Sequence, residues 1–347
     1  MSDSFDRLVL PLIKERLGGR IRRPTRGRWT AEQVGGGYEL TLTMDAATLC
    51  GDFQATTAAS PAYLLCFGWW LQQITGAPVR SVVRVVGDAP AAPGPRRHWR
   101  RSQFLLSQYE ALLGPAFTVQ SPDRWRWPDS PIVNAPQQVR VHADQASHKA
   151  EQRLEAGLCR EPEAHAAFCR LIEPVHPFQR QLPVGLFGGE VANANRWTPG
   201  GCSQIDLWTA SVDGDTVHLF ELKAMHGTRP NAPLGILPEA LYYLRLWHHV
   251  RVGTSGPPIG GAGPGLQAAW EARRVVMWLS APALHPLLGD RENTPLSAFR
   301  PELQAEGCDL RILPLRLGPD GLWAGWGSPS PPNRVSCPPD SPGPERA

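Results

Sequence analysis

Gly200-Gly-Cys-Ser-Gln-Ile-Asp-Leu-Trp208, followed by Val212-Asp-Gly-Asp-Thr-Val-His-Leu-Phe-Glu-Leu-Lys-Ala224, is the most informative stretch of this 347-residue chain. Asp213-Gly214, set between two runs rich in β-branched and aromatic residues, signals a two-residue hairpin turn. Such a turn pairs residues whose numbers total 427, which sets Asp206 directly opposite Glu221. Lys223 lies two residues further along the same strand and projects from the same face, because side chains alternate along a strand. Ile205, Leu207, Phe220 and Leu222 are then expected on the opposite, core-facing side.

Two carboxylates directly across an antiparallel pair repel each other. A divalent cation between them reverses the sign of that interaction. Mg2+ prefers one or two carboxylates together with waters and phosphate oxygens, and the backbone carbonyl of Leu222 is placed to complete a compact site. A Lys223 ammonium beside it would orient or deprotonate an attacking water and offset charge building on a phosphate. The lysine is notable in itself. Of 35 basic residues only Lys14, Lys149 and Lys223 are lysines, in a chain rich in Arg, Ala, Gly and Pro. A compact ammonium kept in such a background points to a role that a planar guanidinium does not fill.

On these residues the chain resembles the PD-(D/E)xK nuclease superfamily, over roughly residues 140–327. Asp206 and Glu221-Leu-Lys223 match its hairpin motif, with Ile205 where the proline that names the motif would stand. The resemblance implies a restriction-endonuclease-like mixed β-sheet core flanked by helices, of α/β (α+β) class, and phosphodiester cleavage dependent on Mg2+ or Mn2+. It implies Asp206 and Glu221 as metal ligands, Lys223 at the water, and a supporting acid on a leading helix. The pattern Glu151-x-x-Leu154-x-x-x-Leu158 fits that helix best, making Glu151 the expected acid, with Glu155, Glu163 and Glu190 as other upstream acids. The helix Pro238-Glu-Ala-Leu-Tyr-Tyr-Leu-Arg245 matches the one after the motif, carrying Glu239 where glutamine is frequent. Glu239, Tyr243 and His226 are accordingly expected near substrate.

Working outward, the chain divides at about residue 137. Residues 1–137 read as a smaller N-terminal α/β domain that selects substrate or partner, residues 138–327 as the nuclease-like domain, and residues 328–347 as a disordered Pro/Ser-rich tail. The first part carries expected helices at 6–17, 62–74 and 99–113 and strands at 38–44, 79–86 and 117–120. In the second, helices are expected at 144–158, 161–172 and 238–250. Its strands are expected at 181–187, 203–212, 216–224, 275–279, 309–315 and 322–326. Strands mixed with helices in this way favour a mixed central sheet.

Composition narrows the function. A net charge of +3 excludes both a histone-like polycation and an acidic solvating protein, so nucleic-acid contact has to come from a local basic surface. The seven cysteines are scattered, no two within five residues of each other, which excludes zinc knuckles and redox Cys-x-x-Cys pairs. The N-terminus has no secretory pattern and no apolar run is long enough to span a bilayer, so the expectation is a cytoplasmic protein without membrane contact. Nucleic acid is the expected partner, DNA ahead of RNA, in a defence, restriction or repair setting, with a homodimer or a partner protein compatible with the sequence. Two other readings stand beside this one: a catalytically silent nuclease-like module that binds nucleic acid or protein, and an unrelated α/β protein in which Glu221-Leu-Lys223 is a surface ion pair.

Three basic segments carry further signal. Arg96-Arg-His-Trp-Arg-Arg101 and Asp123-Arg-Trp-Arg-Trp127 interleave cations with aromatics, as stacking surfaces for single strands do, though core-packed tryptophans give the same pattern. Arg20 to Arg28 holds five arginines in nine residues, too many to be all paired internally. His248 and His249 suit the end of the post-motif helix as dipole-compensating cations. The glycine-rich stretch 253–265 has no Gly-Lys-Ser/Thr and reads as a loop.

Overall fold

The computed structural model describes residues 4–18, 21–50, 59–127, 132–134, 150–189, 196–197, 204–224, 234–253, 264–290 and 293–329. Two sheets organise them. In the first, β1 (Arg28–Val34) and β2 (Gly37–Asp45) form a hairpin, and β3 (Val79–Val86) and β4 (Phe117–Gln120) extend it in parallel, giving the order β1-β2-β3-β4. The turn between β1 and β2 places Gly35 and Gly36 at φ 57° and 83°, the left-handed backbone that a right-twisted hairpin requires. β1 was not anticipated, because its leading arginines look like a basic loop.

Helices connect the parallel strands. The short α1 (Ser4–Leu8) and α2 (Leu10–Leu17) occupy the expected first helix, and α3 (Ser60–Thr75) runs from β2 to β3. Pro61 sits in the first turn of α3, and Gly76 ends it at φ 69°. A Cβ at Gly68 would stand 2.6 Å from Ser81 Oγ, so the missing side chain lets α3 lie directly on the sheet. The longer α4 (Pro93–Leu113) starts six residues before the expected Trp99, with prolines in its first turn.

The second sheet has the order β11-β10-β9-β8-β6, made of β6 (Gln179–Pro183), β8 (Gln204–Ala210), β9 (Thr216–Leu222), β10 (Arg274–Ser280) and β11 (Cys308–Ile312). β9, β10 and β11 are mutually parallel, while β8 runs antiparallel to both β9 and β6. The expected strand 181–187 is two strands, β6 and β7 (Leu186–Gly188), the latter pairing with β5 (Ile132–Asn134). β12 (Leu315–Leu317) and β13 (Trp323–Trp326) close the chain as a small hairpin. The chain is therefore mixed α/β, as expected.

One face of this sheet is covered by α5 (Ala150–Arg160) and α6 (Pro162–Leu171) through Leu154, Phe168, Phe178, Phe220, Trp278 and Trp326. The other face carries α7 (Ile236–Gly253), which is mostly apolar and largely buried from Ile236 to Val250: Leu237, Leu241, Leu244 and Trp247 are fully enclosed. Two shorter helices, α8 (Pro264–Glu271) starting at the end of the glycine-rich stretch and α9 (Arg300–Ala305), were not anticipated.

The two sheets do not bury separate cores. A single apolar cluster runs from Phe5 and Trp29 in the first part to Leu310 and Ile312 in the second. Across it Trp70 Nε1 donates to the Leu287 carbonyl at 2.9 Å, and Arg245 Nε of α7 donates to Gln108 Oε1 of α4 at 2.7 Å. The expected boundary at residue 137 lies outside the described residues, as does the tail beyond residue 329.

His285 lies on this shared core, its ring edge-on to Tyr63 at 5.3 Å and its Nδ1 accepting the Leu287 amide at 3.1 Å. Burial pulls its pKa down from 6.5 to about 4. The ring is thus neutral in the fold, while the unfolded chain binds a proton at its ordinary pKa. Its stabilising effect is complete above pH 6.5 and is lost as pH falls toward 4, by up to ~3 kcal/mol for a shift of this size. In His285→Asn, which keeps an acceptor for Leu287, the fall in unfolding free energy between pH 6.5 and 4 should be shallower by that order, as read from denaturant titrations at several pH values.

Candidate active site

The hairpin register is the expected one. Leu207 pairs with Phe220, Trp208 with Leu219, Thr209 with His218 and Ala210 with Val217. The connection is wider than two residues: Ser211 N donates to the Thr216 carbonyl at 2.8 Å, and Ser211 Oγ takes the Thr216 amide at 2.9 Å. Residues 212–215 thus form the loop, with Gly214 at φ 76°, and a loop lengthened symmetrically leaves the register unchanged. Continuing the ladder by one step sets Asp206 opposite Glu221. There the pairing gives way to a side-chain bond, in which Leu222 N donates to Asp206 Oδ2 at 2.8 Å.

Leu207, Phe220 and Leu222 face the α5–α6 side as expected. Ile205 instead joins the larger cluster on the α7 side together with Leu182. The β6–β8 ladder is interrupted between these pairs at Gln181, which stands opposite Asp206 with φ 58°. No other described non-glycine residue has a positive φ, and strain of this kind gathers at functional sites.

Three carboxylates surround one lysine at this end of the sheet. Lys223 Nζ lies 2.6 Å from Glu221 Oε1 and 3.0 Å from Glu239 Oε2, the latter in the first turn of α7. Glu221 is 2% exposed and Glu239 7%, so the ion pair Glu221–Lys223 is an interior one and not the surface pair considered from sequence. Burial, then the negative charge of Asp206, holds the Glu221 carboxyl well above its ordinary pKa. Burial likewise raises Asp206 to about 7, against the pull of Lys223. Burial pushes Lys223 down, but Glu221, Glu239 and Asp206 outweigh it and hold the ammonium well above its ordinary value. Tyr243, one helical turn beyond Glu239, is raised by burial and by Glu221, Glu239 and Asp206. Expected residues Asp206, Glu221, Lys223, Glu239 and Tyr243 therefore meet in one place.

On α5 it is Glu155, one turn beyond the expected Glu151, whose charge acts on Asp206. Glu151 lies in the first turn of α5 and acts on Lys223 less than Glu221, Glu239 and Asp206 do. Glu155, 4% exposed, is the α5 carboxylate that acts on Asp206, and Arg180 of β6 grips its Oε2 through Nε at 3.2 Å and Nη2 at 3.1 Å. An i,i+4 pair shares a helix face, so helical periodicity alone does not choose between them. Glu163 is exposed on α6, away from these groups, while Glu190 and His226 lie outside the described residues. His248 and His249 do not simply terminate α7: His248 pairs with Glu306 at 3.2 Å, and His249 packs on Phe104 and Trp127.

Among the described residues no group of three or more His, Cys, Asp or Glu side chains is arranged to hold a metal ion. The donor set nonetheless suits a hard cation that keeps waters. Glu221 Oε2 is buried with no hydrogen-bond partner among the described residues, and Asp206 accepts the Leu222 amide through Oδ2. The unbonded Glu221 oxygen is open to a cation whose charge would relieve the repulsion between the Glu221 and Asp206 carboxylates.

Comparison of the chain with protein-family models, with curated proteins and with solved structures returns no match. No helix among the described residues is long and apolar enough to cross a membrane.

Proposed function

We propose that the chain is a Mg2+- or Mn2+-dependent nuclease that hydrolyses phosphodiester bonds, with DNA the favoured substrate. The carrying observation is the buried cluster itself. Asp206, Glu221 and Glu239 crowd around Lys223 with one Glu221 oxygen left unbonded, an arrangement that costs stability unless it serves chemistry. The order of parts, an acid-bearing helix, a hairpin with Asp then Glu-x-Lys, and a Tyr-bearing helix, supports a restriction-endonuclease-like core.

Asp206 and Glu221 would hold the cation, with the Leu222 carbonyl. Bound there, the cation would supply Lewis-acid stabilisation of phosphate charge. Glu239 and Glu221 fix the Lys223 ammonium, which holds the attacking water in line and offsets charge on the phosphate. Burial raises the Glu155 carboxyl above its ordinary pKa and Arg180 opposes that rise, while Glu155 in turn raises Asp206. Tyr243 closes the α7 side, where its hydroxyl would meet substrate.

Incubating the protein with single- and double-stranded DNA and RNA, with and without Mg2+, tests this directly. Cation-dependent cleavage of at least one substrate is expected, and cleavage of none across Mg2+ and Mn2+ overturns it. Calorimetry gives a second readout. Mg2+ at 100-fold above its Kd should add about 2.7 kcal/mol of stability. The accompanying rise in Tm should vanish in Asp206→Ala.

A further inference from the structure

The two arginine–tryptophan segments singled out in the sequence come together in the fold. Arg96, Trp99 and Arg100 on the first turns of α4 face Arg124, Trp125 and Arg126 across a cleft of about 200 Å³, and Trp197 closes it from the second part of the chain. This is room for one nucleobase and not for an extended cofactor.

The walls are cationic without being neutralised. No ion pair reaches Arg96, Arg100 or Arg126 among the described residues, and Arg124 has only a distant one with Glu110 at 3.8 Å. The one carboxylate lining the cleft, Asp123, accepts a hydrogen bond from Trp99 Nε1 at 3.2 Å. Burial, and then the like charges of Arg96 and Arg97, lower the pKa of Arg100, the sign of cations held together with too little counter-charge. Arg100 is also fixed in place. Its guanidinium carbon lies over the Trp197 indole, 3.8 Å from the ring centroid, a cation–π contact that holds the charge at the cleft. Trp125 and Trp197 each bury an Nε1–H that finds no acceptor among the described residues.

Flat aromatic faces beside fixed guanidinium groups select a ligand that is both aromatic and anionic. We propose that this cleft binds one nucleotide, its base packed in the corner that Trp125 and Trp197 form at 69° to each other, face-on to one ring and edge-on to the other, and its phosphate held by Arg96, Arg100 and Arg126. It deepens the nuclease reading, and rests on it only for the choice of a nucleic-acid strand over a free nucleotide. Position favours the strand. Trp197 meets Trp125 at 6.1 Å, Trp125 meets Phe104 at 5.2 Å, Phe104 meets Tyr242 at 5.8 Å, and Tyr242 meets Tyr243 of the carboxylate cluster at 5.3 Å. The cleft and the cluster thus flank the same helix.

The test is fluorescence anisotropy of a labelled single-stranded oligothymidylate on the full chain in EDTA, where cation-dependent cleavage cannot confuse the reading. Arg100→Glu should weaken binding at least ~10-fold, and Trp197→Ala by about 5- to 150-fold, the range for loss of one stacked base. Should Arg100→Glu lose its melting transition, Arg126→Glu at an exposed position replaces it. An abasic strand of the same length should bind worse than oligothymidylate. Thymidine monophosphate should compete while ribose 5-phosphate does not if the cleft takes free nucleotides. Competition by the oligonucleotide alone, with the abasic strand still weak, assigns it to strands. Wild-type affinity in the variants, equal binding of the abasic strand, or equal displacement by polyglutamate overturns the proposal. Asp206→Asn should bind like wild type in EDTA, so a failed cleft and a failed nuclease reading give different results.

Discussion

Asp206→Asn should abolish cation-dependent cleavage and leave the cation-free fold as stable as wild type or slightly more stable. Removing a ligand worth several kcal/mol of transition-state stabilisation lowers cleavage by at least ~10³-fold. Stability moves the other way for a definite reason. Burial raises the folded-state pKa of Asp206 from 3.8 to about 7, so its stabilising contribution is complete below pH 3.8 and is lost as pH rises through 7. At pH 8 the buried charge is a liability that asparagine lacks, while the asparagine carbonyl still accepts the Leu222 amide. Asp206→Ala should lose cleavage equally but forfeit that hydrogen bond, at about 1–3 kcal/mol for the stranded amide. Cleavage at pH 8 and denaturant unfolding in EDTA check both. Retained cleavage by Asp206→Asn would remove the residue from the chemistry, and an unfolded Asp206→Asn would make it structural.

Lys223→Arg should lose at least ~10² in cleavage rate, the low end of what a positioned proton-transfer group supplies. Arginine keeps the charge, and if charge beside the phosphate were the whole role, much of the activity would survive. The geometry argues otherwise. Nζ sits between Glu221 Oε1 at 2.6 Å and Glu239 Oε2 at 3.0 Å in a nearly enclosed space, where a longer planar guanidinium has to displace one carboxylate. Because those carboxylates keep the ammonium protonated, its part before cation binding is to position, and deprotonation of water by Lys223 requires their charge to be neutralised first. Single-turnover rates at matched Mg2+ and pH read the difference, and near-wild-type cleavage by Lys223→Arg would leave phosphate neutralisation as the whole of its role.

Much of the second sheet was legible because its decisive feature is local. Asp213-Gly214 fixes a centre, and the period of two then places Asp206, Glu221 and Lys223 on one face whatever the loop length around that centre. β3 and β4 were legible for the same local reason, each being a short β-branched or aromatic run between turn residues. What escaped depends on partners distant in sequence. Whether Glu151 or Glu155 turns inward is decided by Arg180 of β6, which the helix pattern does not contain. In the Arg20–Arg28 stretch Arg23 pairs with Asp6 at 2.7 Å and Arg28 opens β1, while Arg20 lies outside the described residues. The two arginine–tryptophan segments were visible separately, but their meeting across Trp197 is a property of the fold. Nor does composition announce the shared core, although apolar residues on several sides of α7 are a sign of a helix enclosed over most of its length.

That enclosure bears on how such a chain can change over evolutionary time. Its first part is not a cassette to be exchanged for another, since any replacement would have to offer α7 the same apolar bed, an acceptor for Arg245 and a partner for Leu287. Descendants of this chain can diversify at exposed positions such as Arg96, Arg124 and Arg126 with little consequence for folding. Specificity is therefore free to drift along the rim while the two sheets remain bound to a common ancestry.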